Sequence, residues 1–124
     1  MGWKRRKFST KRRHVPGKMN GLEKRFSNYL NELKKKGKIL WWRFEGLKLS
    51  LTDADNRTTY TPDFDVFYPD GTMTIFETKG HWTPAARVKT KCAADQWFMF
   101  TFIGVQWKKK KWIFEEFEPK EGKC

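Results

Sequence analysis

Two carboxylates and one amine stand out by type and spacing. Asp63 lies near the start of one extended stretch (60–68), and Glu77 and Lys79 lie near the end of the next (72–80). Both stretches are rich in aromatic and β-branched residues, and Pro69-Asp70-Gly71 separates them, which predicts a β-hairpin. Residues two apart on a strand point to one side, so Glu77 and Lys79 are neighbours. If Asp63 faces Glu77, two acids meet on an otherwise apolar sheet, where like charges repel. A divalent cation between them would offset that repulsion. Hard oxygen donors with a retained water shell are the usual Mg2+ arrangement.

The turn decides whether Asp63 joins that face. Pro69 suits the first position of a type I turn, and Gly71 supplies the left-handed third residue of a three-residue loop. Tyr68 then faces Thr72, Asp63 faces Glu77, and Thr61 faces Lys79. A two-residue Asp70-Gly71 turn would slip the register by one and send Asp63 to the opposite side. Pro69 cannot donate to a ladder, which favours the longer loop.

Pro62-Asp63 followed by Glu77-Thr78-Lys79 resembles the PD-(D/E)xK nuclease superfamily. Asn20-Gly21-Leu22-Glu23, Tyr60-Thr61-Pro62-Asp63-Phe64 and Glu77-Thr78-Lys79-Gly80, with Trp82 just after, look like the phage endonuclease I family of Holliday-junction-resolving enzymes. The resemblance spans roughly residues 20 to 91. It implies a restriction-endonuclease-like core and a phage or mobile-element origin. It also implies catalytic roles for Glu23, Asp63, Glu77 and Lys79, with Mg2+ (or Mn2+) held by Asp63, Glu77, the Thr78 carbonyl and Glu23. Lys79, flanked by two carboxylates, would orient water rather than act as a free base.

Composition agrees with a polyanionic partner. The 124 residues carry a formal charge of +13, which points most simply to nucleic acid. One domain is expected, and 11 Phe and 7 Trp suffice for its core. Lys4, Arg5, Arg6, Lys7, Lys11, Arg12, Arg13 and Lys18 form an acid-free arm over residues 1–18, suited to phosphate backbones. A tail that only aids solubility is the bland alternative. The nuclease domain is expected over 19–118, with a tail at 119–124. No stretch is long and apolar enough to span a bilayer, and no secretory signal is visible. Two cysteines, Cys92 and Cys124, make no disulfide framework, which predicts a reducing, cytoplasmic setting.

The fold expected is α/β, a mixed β-sheet flanked by helices. Asn20 can cap a helix whose stripe is Leu22, Phe26, Tyr29, Leu30 and Leu33, stopped by Gly37. Glu23 sits in its first turn, where complementing the helix dipole is the plain reading. A strand is expected at 39–45, extended after Gly46 over 47–52, then a polar turn at 53–57. After the hairpin, Thr83 and Pro84 start a second helix running to about Asp95, with Ala85, Val88 and Cys92 on its apolar side. Arg87 and Lys91, four apart, share another face and could contact phosphates, as could His81. An apolar strand over 98–105 should lie parallel to the hairpin's second strand. A basic turn at 108–111 then leads to a last strand at 112–117.

With the resemblance, these readings point to a Mg2+-dependent endodeoxyribonuclease acting on branched DNA as a homodimer; the resemblance also implies an element exchanged between protomers, with 46–59 as the expected crossing. A sequence- or mismatch-specific nicking enzyme would share the core. A non-catalytic basic DNA-binding protein would treat Asp63, Glu77 and Lys79 as a structural ion cluster.

Overall fold

The computed structural model describes residues 17–52 and 58–119; the basic arm up to Arg13 and the 53–57 turn lie outside them. Helix α1 (Gly21–Lys35) begins with a complete capping box. Asn20 Oδ1 accepts from Glu23 N, and Asn20 N donates to Glu23 Oε1, both at 2.8 Å. It ends where Gly37 turns left-handed at φ 74°. There Lys38 N donates to Leu33 O and Gly37 N to Lys34 O, so the last carbonyls are satisfied. Phe26 and Leu30 are fully buried among Phe64, Val66, Phe76 and Val105. Each such side chain stabilises the fold by about 1.5–3 kcal/mol. Tyr29 and Leu33 pack partly against the same cluster.

Five strands form the main sheet: β1 (Trp41–Phe44), β4 (Phe64–Phe67), β5 (Met73–Thr78), β6 (Thr101–Lys108) and β7 (Lys111–Phe117). They lie in the order β1-β4-β5-β6-β7. Only β5 and β6 are parallel, joined by α2 (Pro84–Gln96) as the crossover length requires. The molecule is thus α/β, a mixed sheet with a helix against each face. α1 covers the side of Phe64 and Phe76, and α2 covers the side of Ile75 and Phe102. Two short strands, β2 (Leu49–Ser50) and β3 (Thr59–Tyr60), pair apart from the main sheet.

The hairpin register is the one expected from the three-residue loop. Phe64 faces Phe76 and Phe67 faces Met73. Tyr68 N donates to Thr72 O, and Gly71 is left-handed at φ 90°. The first strand, however, is not continuous over 60–68. Tyr60 belongs to the small sheet and β4 starts only at Phe64, because Pro62 has no N–H for the ladder and Asp63 N turns to the Glu77 carboxylate.

Other boundaries also differ. β1 starts at Trp41, and the 47–52 stretch pairs with β3 instead of extending β1. β6 starts at Thr101; Phe98 and Met99 are exposed in the connection from α2. β7 starts at Lys111 because the turn is only Lys109-Lys110. On α2 the apolar side is not Ala85, Val88 and Cys92. Thr90, Ala93 and Ala94 are buried, while Ala85 is exposed and Val88 is 59 % exposed. Ala93 and Ala94 pack in the cluster that holds Ile75 and Phe102. Cys92 is half-buried and disulfide-bonded, contrary to the reduced state expected; Cys124 lies outside the described residues.

Candidate active site

The site lies at the carboxyl end of β5, between the first turns of α1 and α2. A cavity of about 680 Å3 there is lined by Glu23, Asp63, Glu77, Thr78, Lys79 and Lys89, among others. The hairpin delivers Glu77 and Lys79, and the break before β4 delivers Asp63. Their backbones and side chains are clasped crosswise. Thr78 N and Thr78 Oγ1 each donate to Asp63 Oδ2 at 2.8 Å, while Asp63 N donates to Glu77 Oε1 at 3.2 Å. Tyr60 Oη donates to the same Glu77 Oε1 at 2.7 Å. Lys79 Nζ is 3.3 Å from Glu77 Oε2, the other oxygen. All four expected catalytic residues therefore border one cavity, with Asp63 and Glu77 on its side of the sheet.

Both acids are only 7 % exposed, and burial dominates their electrostatics. Desolvation pushes Asp63 up to about 6, against the lowering effect of the Thr78 hydrogen bonds; the charge of Glu23 adds to the rise. Glu77 goes further, to about 7, through burial and then the charge of Asp63, with Lys79 and Tyr60 opposing. Burial and Glu77 likewise hold the Tyr60 hydroxyl well above its ordinary range. The site has more negative charge than its neighbours offset.

Its donor set suits a hard divalent cation. Mg2+ is commonly held by one or two carboxylates with water or substrate phosphate completing the shell, and two buried, mutually repelling carboxylates provide that. Among the described residues no group of three His, Cys, Asp or Glu is arranged to hold a metal. Glu23 Oε1 closes the α1 capping box, the plain role read from its position, while the residue also borders the cavity and its charge acts on Asp63.

The expected DNA-contacting residues divide. His81 is exposed just beyond the site. Arg87 and Lys91 do share a face of α2, but that face meets β7. Arg87 makes a two-pronged pair with Glu115 at 2.8 and 2.9 Å, and the charge of Lys91 also acts on Glu115. Lys89 is the α2 cation at the cavity, 6.0 Å above the Tyr60 ring. The sequence reading missed both Tyr60 and Lys89. Tyr60 carried a signal, three residues before Asp63; Lys89 carried none, since its placement depends on which face of α2 is buried. Lys4, Arg5, Arg6, Lys7, Lys11, Arg12 and Arg13 lie outside the described residues.

Compared with models of known families, with curated proteins and with solved structures, the chain matches none. What the fold and the site define is an α/β protein with a buried acidic pair and a lysine at one end of a mixed sheet. Among the described residues no helix is long and apolar enough to cross a membrane.

Proposed function

We propose that the protein is a Mg2+-dependent endodeoxyribonuclease, selective for branched DNA of the four-way-junction kind. The observation that carries the reading is the convergence of Asp63 and Glu77, both buried and both raised by burial, at one open cavity, with Lys79 Nζ 3.3 Å from Glu77 Oε2. Two buried carboxylates this close cost stability unless a proton or a cation relieves them.

Asp63 and Glu77 would hold the cation, with the Thr78 carbonyl. When bound, it lowers the pKa of water and offsets charge on the phosphate. The chain's own residues do the rest. Tyr60 and the Asp63 amide fix one Glu77 oxygen, leaving the other toward Lys79. Thr78 fixes Asp63 Oδ2. Lys79 orients the attacking water and supports the charge developing on the phosphate. Lys89 adds a second cation at the cavity wall, where an incoming phosphodiester would need one.

Resolving a junction takes two symmetric cuts, and the described residues hold one such site, so the reading requires a two-fold homodimer. The test is cleavage of supercoiled, linear and four-way-junction DNA with Mg2+ and with EDTA, alongside solution mass by light scattering. Junction cutting by a dimer, lost in EDTA, is expected. A monomer cutting linear duplex equally well would leave a nicking or restriction-type nuclease.

A non-catalytic DNA-binding protein is the second reading. It is favoured by the hydrogen bonds that already satisfy Asp63 Oδ2 and Glu77 Oε1, and by the capping role of Glu23. Absence of cleavage on every substrate with Mg2+ or Mn2+ would select it.

A further inference from the structure

The β6–β7 hairpin projects from the same end of the sheet as the cavity. Thr78 pairs with Val105, Lys79 N donates to Val105 O at 2.9 Å, and Gln106 Nε2 donates to Gly80 O at 3.4 Å. β6 then runs on from Val105 to Lys108, which at a rise of about 3.3 Å per residue is about 10 Å. Its tip is four consecutive lysines, 108–111.

Several features of this tip oppose stability. Lys109 and Lys110 are both left-handed, at φ 51° and 61°. A two-residue turn with two positive φ values favours Asn-Gly, and lysine has no such ease there. Four like charges are crowded at one point. Among the described residues none of their side chains takes part in an ion pair or a hydrogen bond. The stem beneath is rigid by contrast. Trp107 and Trp112 face each other across the strands with ring centroids 4.7 Å apart, and the Arg25 guanidinium lies 4.7 Å over Trp107. A firm aromatic stem therefore holds an unneutralised cationic tip at a set distance from the acidic cavity.

We propose that this tip is a separate DNA-contacting site, gripping backbone phosphates of duplex DNA about 10 Å along β6 beyond the cavity end of the sheet. Its distance from the cut rests on the nuclease reading; the contact itself does not. Duplex DNA is the occupant because its regularly spaced phosphates match a fixed cluster of point charges, which lysine binds without demanding planar geometry.

The test exploits the strained turn. In Lys109→Asn/Lys110→Gly, two charges go and the turn gains its favoured residues, so the melting temperature should rise while duplex affinity falls by about tenfold at low salt. Binding is measured in EDTA, and the slope of log affinity against log salt should become shallower by about two, the loss expected for two phosphate contacts. Lys36→Gln/Lys38→Gln, past the far end of α1, is the charge-matched control and should change the slope much less. Lys108→Ser/Lys111→Ser, which leaves the turn residues in place, should lower the slope like the first variant. Equal slopes for hairpin and control variants would overturn the proposal, as would a loss seen equally with uncharged ligands. If no DNA is ever cut but the hairpin variants still weaken binding, the nuclease reading falls and this contact stands. If DNA is cut and the hairpin variants bind it as the parent does, the contact falls and the nuclease reading stands.

Discussion

Two buried acid arrangements lie close together on the central hairpin, and their surroundings are opposite. Asp65 is fully buried on β4 and meets Arg43 of β1, whose Nε is 2.7 Å from Oδ2. Burial raises its pKa; the Arg43 bond and charge, then the Gly46 backbone, pull it back. A Cβ at Gly46 would lie 2.7 Å from Arg43 Nε, so a larger residue there would push Arg43 off Asp65. Asp63 and Glu77 are nearly as buried, but their oxygens are held mainly by neutral donors (Thr78, Tyr60 and the Asp63 amide), with one partly exposed lysine beside Glu77. A buried acid matched by a cation behaves as structure. Buried acids held by neutral donors keep a charge whose desolvation a bound cation can offset.

The largest expected effect breaks that contrast at the paired acids. Asp63→Asn and Glu77→Gln keep the shapes and the accepting oxygens but remove the charge a cation needs. Cleavage should fall on the order of a thousandfold, about 4 kcal/mol of barrier, with DNA binding retained. At pH 8 without Mg2+ the same variants should be more stable than the parent by on the order of 1–2 kcal/mol. Urea titrations and nicking assays on one preparation decide it: a variant that is less stable and still active would make the pair structural.

Next comes the matched acid. Arg43→Met leaves Asp65 buried with no cation, and one of its oxygens, Oδ1, already lacks a partner. Breaking such a pair costs about 3 kcal/mol, read as a lower urea midpoint with unchanged slope. A loss below about 1 kcal/mol would place this pair with exposed ones such as Arg87–Glu115.

The smallest effect is the pH window. Asp63 and Glu77 have folded pKa values raised to about 6 and about 7. Their contribution to stability is therefore fully present below their unfolded values near 4, and is lost as pH rises through 6 to 7. Thermal melts should show that decline without divalent cation. Mg2+ should restore several degrees at pH 8 and almost nothing at pH 4.5, where protons already occupy the carboxylates. Equal Mg2+ stabilisation at both pH values would remove the acids as its site.

Much of this architecture is local and so is legible from residue order. The Pro69-Asp70-Gly71 loop sets the register that brings Asp63 beside Glu77, because loop length and a left-handed glycine admit one pairing. Asn20, Glu23 and Gly37 mark the ends of α1 through hydrogen bonds spanning a few residues. The length of the α2 connection sets β5 and β6 parallel. Tertiary structure decided the rest, through contacts between residues far apart in the chain. Tyr60 reaches Glu77 across 17 positions and Arg43 reaches Asp65 across 22. Contacts with the sheet fixed the face of α2, burying Thr90, Ala93 and Ala94 and turning Arg87 to Glu115, so that Lys89 was left at the cavity. Periodicity ranks the faces of a helix by hydrophobicity, but only the shape of the opposing surface determines which of them fits.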